Sequence, residues 1–392
     1  MRPLENPSSS EALDYSAHLQ NIIREKIALV GGKISFAEFM QLALYAPVDA
    51  QGRGGYYTGG TEKFGQEGDF VTAPIISEFF SYALAEQCAS IFKNLFCKNI
   101  LEFGAGTGIM AADILQHLEK NNSLPTHYYI LELSADLQQR QQAMLQKKIP
   151  HLLDRVQWLS TLPEKFSGII LANEVLDAMP VHQVVWSKNA VQERYVIWQD
   201  EQFKYFDDEL SSARLQAAVN NIQTELGSFP AGYYTEINLM LNAWLASVAT
   251  ILQQGVILLI DYGFPRHEYF HPQRSEGTLM CHYRHRAHSD PFWYVGLQDI
   301  TAHVDFTAVA EAATKNDLDV LGFTTQAAFL LNNKILELAN SEQDQQRWRN
   351  VQKIQQLIAP QEMGELFKVM ALGKKYTETL PAFEFKDMLG RL

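Results

Sequence analysis

The chain has 392 residues, 47% of them hydrophobic, which suffices for one enlarged domain or for two domains with a substantial core. Its formal net charge of −13 argues against a non-specific nucleic-acid binder, because such proteins need a basic surface. It contains three cysteines in no close pair, which argues against a disulfide framework and favours a reducing compartment.

The N-terminal residues and the hydropathy pattern predict a cytoplasmic protein. Residues 1–13 have two acidic residues and no apolar core, unlike a secretory signal or an arginine-rich transit peptide. The most apolar run, Val256 to Ile260, is far too short to span a membrane as a helix. We therefore expect no membrane insertion.

Two helices are predicted near the N-terminus. Tyr15 to Val30 carries apolar residues at helical spacing and is followed by two glycines. Ser35 is predicted to cap a second helix, Phe36 to Tyr45, with Glu38 in the capping-box position.

A glycine-rich segment, residues 46–72, follows these helices. It contains seven glycines between Gly52 and Gly68, and loops of this length are usually functional or disordered. We predict a lid in which glycines act as hinges and tyrosines shield a bound ligand from water. Within it, Gly68 and Asp69 are predicted to contact the cofactor.

From Asn99 onward, predicted strands and helices alternate, which indicates an α/β fold with a mostly parallel sheet and helices on both faces. The predicted core strands are Ile100–Phe103, Tyr128–Leu131, Val156–Leu159, Gly168–Ala172, Gly255–Gly263, Val320–Phe323 and Phe367–Leu372. Between the fourth and fifth, the sequence predicts a hairpin (Val181–Trp186 and Glu193–Trp198) and two mostly helical stretches, Glu209–Leu226 and Tyr234–Gln254.

We expect three parts in the chain. Residues 1–97 form an N-terminal helical and lid region. Residues 98–374 form the α/β domain, with insertions at about 181–235 and 264–299. Residues 375–392 form a C-terminal tail.

The run from Ile100 to Ile109 is the most informative motif. Glu102 precedes three alternate glycines, Gly104, Gly106 and Gly108, between a predicted strand and a predicted helix. The pattern E-x-G-x-G-x-G is typical of the first motif of class I S-adenosylmethionine (SAM) methyltransferases. Glycines let the backbone turn tightly beside a cofactor, and Glu102 can pair with the ammonium of SAM.

The dinucleotide fingerprint G-x-G-x-x-G would need a third glycine at position 109, where the chain has isoleucine. A dehydrogenase is therefore disfavoured. Ala105, inside the glycine turn, is predicted to contact the cofactor with its neighbours.

A second acid, Glu132, ends the next predicted strand and is followed by Leu133. In doubly wound sheets an acid at this position binds the ribose hydroxyls. We therefore assign Glu132 and Leu133 to the cofactor site. The alternative for Glu132 is an ordinary surface acid.

Asn173, Glu174 and Asp177 follow the fourth predicted strand. We predict that they hold the methyl acceptor, because two carboxylates can bind a guanidinium through bidentate hydrogen bonds, and that Asn173 also borders the cofactor. In the alternative interpretation, Asp177 caps a short helix and Glu174 faces solvent.

His303 and Asp305 are candidates for the acceptor pocket, with an N-cap as the alternative role for Asp305. Cys281, His282, His285 and His288 match no standard zinc spacing, and neighbouring arginines would repel a cation. We therefore predict no metal site.

With these residues identified, the chain resembles the MidA-type family of class I SAM methyltransferases. That family includes a mitochondrial protein-arginine methyltransferase that assists assembly of respiratory complex I. The resemblance spans about residues 34–374. It rests on the blocks Gly55–Tyr57, Gly65–Pro74, Glu102–Gly108, Ala172–Val181, Asp261–Gly263, Asp299–Phe306 and Met363–Val369.

The resemblance implies a class I fold, SAM as cofactor and a protein-arginine substrate converted to symmetric dimethylarginine. A subunit of a respiratory complex is the partner that the mitochondrial member suggests. The segment after Gly263 departs most from the family pattern. Two alternatives stay open: a methyltransferase for a small molecule or nucleic acid, and a non-catalytic SAM-binding assembly factor. The acidic charge weighs against nucleic acid, and the sequence predicts no oligomeric state.

Overall fold

A computed structural model of the chain describes residues 10–59, 72–340 and 344–392. The described residues divide into two compact units. The larger contains residues 72–177, 241–269, 303–340 and 344–392, and the smaller contains residues 10–59, 178–240 and 270–302.

The described helices are α1 Ser10–Leu29, α2 Phe36–Tyr45, α3 Ala73–Ile76, α4 Glu78–Phe92, α5 Ile109–Lys120, α6 Ala135–Lys148, α7 Ala213–Leu226, α8 Leu241–Ile251, α9 Arg266–Tyr269, α10 Phe306–Lys315, α11 Gln326–Asn332, α12 Ile335–Leu338 and α13 Asp344–Ile358. The described strands are β1 Lys33–Ser35, β2 Asn99–Phe103, β3 His127–Leu131, β4 Val156–Leu159, β5 Phe166–Asn173, β6 His182–Trp186, β7 Val191–Gln199, β8 Gln202–Asp208, β9 Tyr234–Ile237, β10 Leu252–Phe264, β11 Met280–Tyr283, β12 Arg286–His288, β13 Asp299–Thr301, β14 Val304–Asp305, β15 Asp319–Thr325 and β16 Phe367–Lys374.

The larger unit is built on one sheet with the strand order β15-β16-β10-β5-β2-β3-β4. Strands β10, β5, β2, β3 and β4 run parallel, whereas β16 is antiparallel to both of its neighbours. The chain runs outward from β2 through β3 to β4 and then returns to β5 on the other side of β2. The strand order therefore reverses between β2 and β5, which is where doubly wound sheets bind their ligands.

This architecture confirms the predicted α/β fold with a mostly parallel sheet. Strands β2, β5 and β10 are buried along nearly their whole length, as expected for parallel strands covered on both faces. Helices α4 and α5 contribute much of the apolar core around them. The C-terminal segment also joins this unit: Leu380 and Ala382 are buried, and Met388 N donates to Phe323 O at 2.7 Å.

The smaller unit contains an antiparallel sheet of order β1-β7-β6-β9, with β8 paired to β7, and a second sheet of order β12-β11-β13. Helices α1 and α2 contribute its apolar core, together with residues of β7 and β8. The predicted capping box of α2 is confirmed, because Ser35 Oγ accepts from Glu38 N at 3.1 Å and Glu38 Oε2 accepts from Ser35 N at 3.1 Å. The predicted hairpin corresponds to β6 and β7.

The prediction of a mostly helical Tyr234–Gln254 is wrong at its start. Residues Tyr234–Ile237 form β9, paired antiparallel with β6, and the helix α8 occupies only Leu241–Ile251. The pairing partner lies some fifty residues earlier, so local spacing does not reveal it. The helix predicted from Glu209 begins at Ala213, because Ser212 accepts from Leu215 N at 3.1 Å as its cap.

Strands β1 and β8 are absent from the sequence prediction. β1 has only three residues, and β8 is mostly exposed, so neither carries a strong apolar alternation. Within the described ranges, no helix is both long and apolar enough to cross a membrane.

Candidate functional site

The glycine turn joins β2 to α5 at the point where the strand order reverses. Gly104, Gly106 and Gly108 have φ angles of +62°, +54° and +79°, a conformation that glycine adopts without steric cost. A Cβ built on Gly104 would meet a single described atom within 4 Å, Val175 Cγ2 at 3.9 Å. Among residues 10–59, 72–340 and 344–392, this side of the turn therefore leaves room for a ligand to lie against the backbone.

Gly108 has a different role. A Cβ there would lie 2.9 Å from Leu145 Cδ1 and 3.2 Å from Gln141 Cα. Both residues belong to α6, so this glycine lets α6 pack closely against the turn. Ala105, between the first two glycines, is buried. The first N–H groups of α5, which follows, have no intrahelical acceptor and suit a carboxylate or another acidic group.

Glu102 lies in β2 with 1% exposure. Its Oε2 accepts a hydrogen bond from Tyr128 Oη on β3 at 2.7 Å. Burial raises the pKa of Glu102 to about 7; the Tyr128 hydrogen bond lowers the pKa and the nearby charge of Glu132 raises it. A ligand ammonium beside this carboxyl would favour its charged form.

Glu132 follows β3 and is also buried. Its Oε1 accepts from Ser134 N at 2.9 Å, and its Oε2 accepts from Gln141 Nε2 at 3.0 Å. Ser134 also caps α6 by accepting from Leu137 N. The next residue, Leu133, is 78% exposed, so it lies at the surface of this edge.

Strand β5 ends in a strained backbone. Glu174 has a φ of +52°, which is uncommon for a residue with a side chain and clusters at functional sites. Its N–H donates to Ile260 O at 2.9 Å, and its Oε1 accepts from Asn173 Nδ2 at 3.0 Å. Asn173 Oδ1 is buried and has no hydrogen-bond partner among the described residues.

The turn after Glu174 is held by Asp261 at the end of β10. Asp261 Oδ2 accepts from Leu176 N at 2.9 Å and from Asp177 N at 3.2 Å, while Oδ1 accepts from Tyr262 N at 2.9 Å. Burial raises the pKa of Asp261 to about 7, and these backbone N–H groups lower it. Asp177 is buried, and no helix begins there, so the short-helix alternative is wrong.

The position of Asp261 near the end of the fifth predicted strand predicts that it faces the same cleft as the residues after the fourth strand. The sequence assigned it no catalytic or cofactor-binding role. Its role as an acceptor for the backbone of Leu176 and Asp177 depends on contacts across 84 and 85 residues of chain.

Asp305 has the capping role that the sequence analysis weighed against a catalytic one. Its Oδ1 accepts from Thr307 N and Ala308 N at the start of α10, at 3.0 and 3.2 Å. Its Oδ2 accepts from Arg266 Nε at 3.1 Å, and the same guanidinium pairs with Glu311 at 2.6 Å. Arg266 thus joins Asp305 to Glu311 in an ionic cluster in which Arg266 and Asp305 are largely buried and Glu311 is exposed.

His303 lies two residues before this cluster, on the same unit as the glycine turn. Its ring is nearly parallel to that of Tyr262, with centroids 5.9 Å apart and an interplanar angle of 9°. The ring centroid of Phe264 lies 5.3 Å from that of His303, with an interplanar angle of 51°. Clustered aromatic rings and an imidazole offer a flat, partly polar surface suited to a planar cation.

Gly68 and Asp69 lie outside the described residues. The described part of the predicted lid, up to Gly59, is anchored in the smaller unit. Tyr56 is 1% exposed, its N–H donates to Ala43 O at 2.9 Å, and Tyr57 Oη donates to Asp299 Oδ1 at 2.9 Å. These two tyrosines pack within the smaller unit. Residues 60–71 of the predicted lid lie outside the described residues, so the lid stays a prediction. Across the described ranges, no group of His, Cys, Asp and Glu side chains could hold a metal ion.

Class I SAM methyltransferases share the arrangement described above. Their parallel sheet reverses its strand order at a glycine turn, and an acid lies at the end of each of the two neighbouring strands. A family model described as "Putative S-adenosyl-L-methionine-dependent methyltransferase" matches residues 83–324, more than half of the chain. The chain belongs to this MidA-type family of SAM-dependent methyltransferases.

Solved structures agree with this assignment. The chain is 41% identical to a Burkholderia thailandensis protein, described as a "likely methyl transferase", whose crystal structure is bound to S-adenosyl-homocysteine; the match covers 100% of both chains with a TM-score of 0.94. A native structure of a protein from the same organism matches at 41% identity over 100% of both chains, with a TM-score of 0.91.

Curated relatives are more distant. The Drosophila melanogaster protein named "Protein arginine methyltransferase NDUFAF7 homolog, mitochondrial" is 26% identical, covering 94% of this chain and 88% of its own. Its Danio rerio counterpart is 26% identical, covering 87% and 83%. The cofactor of the chain is thus SAM and its reaction class is methyl transfer. The open side of Gly104 fits this cofactor.

Proposed function

We propose that this chain methylates arginine side chains of a protein substrate and gives symmetric dimethylarginine. The observation that carries the proposal is Glu174, a carboxylate kept in a left-handed backbone conformation at the strand end next to the glycine turn. Relatives named protein arginine methyltransferases support the choice of acceptor.

On the cofactor side, we assign the glycine turn from Gly104 to Gly108 to the amino-acid part of SAM, with Glu102 as the partner of its ammonium. Glu132 binds the ribose hydroxyls, and Leu133 borders the nucleoside. Gly68, Asp69 and Asn173 complete the predicted cofactor contacts. When bound, SAM supplies an electrophilic methyl group.

On the acceptor side, Glu174 binds the guanidinium through charge-assisted hydrogen bonds. Holding the cation by one edge orients the other nitrogen for an in-line displacement, in which positioning is a large part of the rate. Transfer leaves an additional proton on the substituted guanidinium, and the Glu174 carboxylate accepts it. Asp177 is a second carboxylate in the same turn, and Asp261 holds that turn through its backbone.

His303 supplies a flat wall for the same guanidinium, together with Tyr262. A protein substrate that is rich in basic residues suits the net charge of −13. The family resemblance of the sequence suggests a respiratory-complex subunit as the substrate class, and the curated relatives are named as mitochondrial protein arginine methyltransferases.

One observation favours a second candidate, methylation of a different nitrogen. Asn173 Oδ1 is buried without a described partner, and a carbonyl oxygen in that situation can accept from the N–H of an amine or amide. A small-molecule amine would satisfy it without a guanidinium. The two candidates differ in whether the negative charge of Glu174 is required.

The test incubates the purified protein with isotopically labelled SAM and a lysate of its own cells, and identifies the labelled species by mass spectrometry. A protein that carries label on arginine supports the proposal, and fragmentation distinguishes symmetric from asymmetric dimethylarginine. Label confined to a small molecule would refute the arginine assignment. Glu174→Gln serves as the matched control, since it preserves size and removes the charge.

A further inference from the structure

Gln141, on α6, is a polar side chain with 0% exposure. Its Nε2 donates to Glu132 Oε2 at 3.0 Å and to Gly106 O at 3.1 Å. Its Oε1 accepts from Trp158 Nε1 at 2.9 Å. A buried amide is costly unless it is hydrogen-bonded, and here both of its ends have partners.

The identity of each partner fixes the orientation of this amide. The indole N–H of Trp158 can only donate, so the amide oxygen must face it. The amide nitrogen therefore points toward Glu132 and the glycine turn. The close packing of Gln141 Cα against Gly108 also fixes the backbone from which this side chain extends.

We propose that Gln141 is a positioning residue for the cofactor: it orients the Glu132 carboxylate toward the ribose hydroxyls and ties that carboxylate to the glycine turn. The inference rests on the proposed assignment of Glu132 to the ribose. Gln141 donates to Glu132 and Gly106 and accepts from Trp158, so we expect it to act on the ribose through Glu132.

Position 141 needs a neutral amide because its side chain must donate to the Glu132 carboxylate. A glutamate at position 141 would face the Glu132 carboxylate and the Gly106 carbonyl without a proton to donate. A methionine would fill the space but leave Glu132 with one fewer donor. In both cases the carboxylate loses its fixed rotamer, and the ribose loses its preorganised partner.

The experiment compares two ligands, S-adenosylhomocysteine and its 2′,3′-dideoxy analogue, by calorimetry. We expect Gln141→Met to weaken S-adenosylhomocysteine by about tenfold to a hundredfold, the range for hydrogen bonds to charged groups. The dideoxy analogue should change less than about twofold, because it has no hydroxyls for Glu132 to bind. Glu132→Gln should show the same selectivity.

Gln326→Met is the matched control. Gln326 is a second fully buried glutamine of the larger unit, and its Nε2 donates to Leu357 O at 2.9 Å. Its loss should leave both affinities at the wild-type values. If Gln141→Met weakens both ligands equally, or neither, the positioning role is refuted.

Melting curves without ligand identify a variant that fails to fold. In that case Trp158→Phe is the test variant. It keeps an aromatic ring, removes the donor that orients the amide, and should lower the preference for the hydroxylated ligand. If Glu132→Gln leaves that preference intact, the ribose assignment fails and this inference fails with it. The assay uses no methyl acceptor, so it is independent of the proposed arginine substrate.

Discussion

Glu102 should destabilise the ligand-free protein above neutral pH. Its pKa is about 7 in the folded chain, where burial disfavours the charged carboxylate, against 4.5 for an ordinary glutamate. The folded state therefore holds this proton more tightly than the unfolded state. Stability contributed by the neutral form is complete below pH 4.5 and is lost as the pH rises through 7.

The magnitude follows from the same values. At about 1.4 kcal/mol for each pKa unit, a rise from 4.5 to about 7 corresponds to about 3 kcal/mol of lost stability at pH 8. The side chain of the Glu102→Gln variant cannot ionise, so the variant does not lose this stability as the pH rises. Relative to wild type, the variant should gain about 3 kcal/mol between pH 4.5 and pH 8.

Urea unfolding of both proteins at several pH values measures this difference. Other groups, such as Asp261, titrate in both proteins and cancel in the comparison. The same substitution should weaken S-adenosylhomocysteine, because the ligand ammonium loses its charged partner. A stability difference that stays constant from pH 4.5 to pH 8 would refute the reasoning, as would a variant with unchanged ligand affinity.

Four further predictions follow from the site. Gly104→Ala and Gly108→Ala both place a Cβ on a left-handed backbone, so both should lower the melting temperature. Gly108→Ala should lower it more, because only its Cβ meets α6, whereas Gly104→Ala should lose S-adenosylhomocysteine in calorimetry; equal melting temperatures would contradict the open side of Gly104. Glu174→Gln should bind S-adenosylhomocysteine normally while methyl transfer falls about 10²-fold; a normal rate in the labelled-SAM assay would exclude its role. Asp261→Asn should lower the rate more than the cofactor affinity, since it frees the turn after β5. Asp305→Ala should cost about 2–4 kcal/mol in urea unfolding, by removing both a cap and one of the two carboxylates that pair with the Arg266 guanidinium, and Asp305→Asn, which retains the cap, should cost less.

The sequence analysis succeeded where the signal is local. The strand, the glycine turn and the helix after Glu102 lie next to one another in the chain, and the structure has them where the sequence predicts them. The cofactor roles of Glu102 and Glu132 stay predictions. The capping box of Ser35 and Glu38 is likewise complete within four residues. Such features depend on backbone geometry and neighbouring side chains, which a single sequence contains.

Features that depend on remote contacts were not predicted. Gln141 lies 35 residues from Gly106, and Asp261 lies 85 residues from Leu176. The local sequence of β9 predicts part of a helix, and only its pairing with β6 shows that it is a strand. In each case the deciding interaction joins parts of the chain whose proximity is a product of the whole fold.

The order of the sheet has a consequence for synthesis on the ribosome. Strand β16, Phe367–Lys374, is among the last described elements to be translated, yet it lies between β10 and β15. Until it emerges, each of these two strands presents an unpaired edge, and open edges invite intermolecular pairing. A nascent chain that ends before Phe367 lacks an interior strand of its sheet. Premature termination should therefore produce aggregates that bind chaperones. In the completed chain, β16 pairs with both β10 and β15.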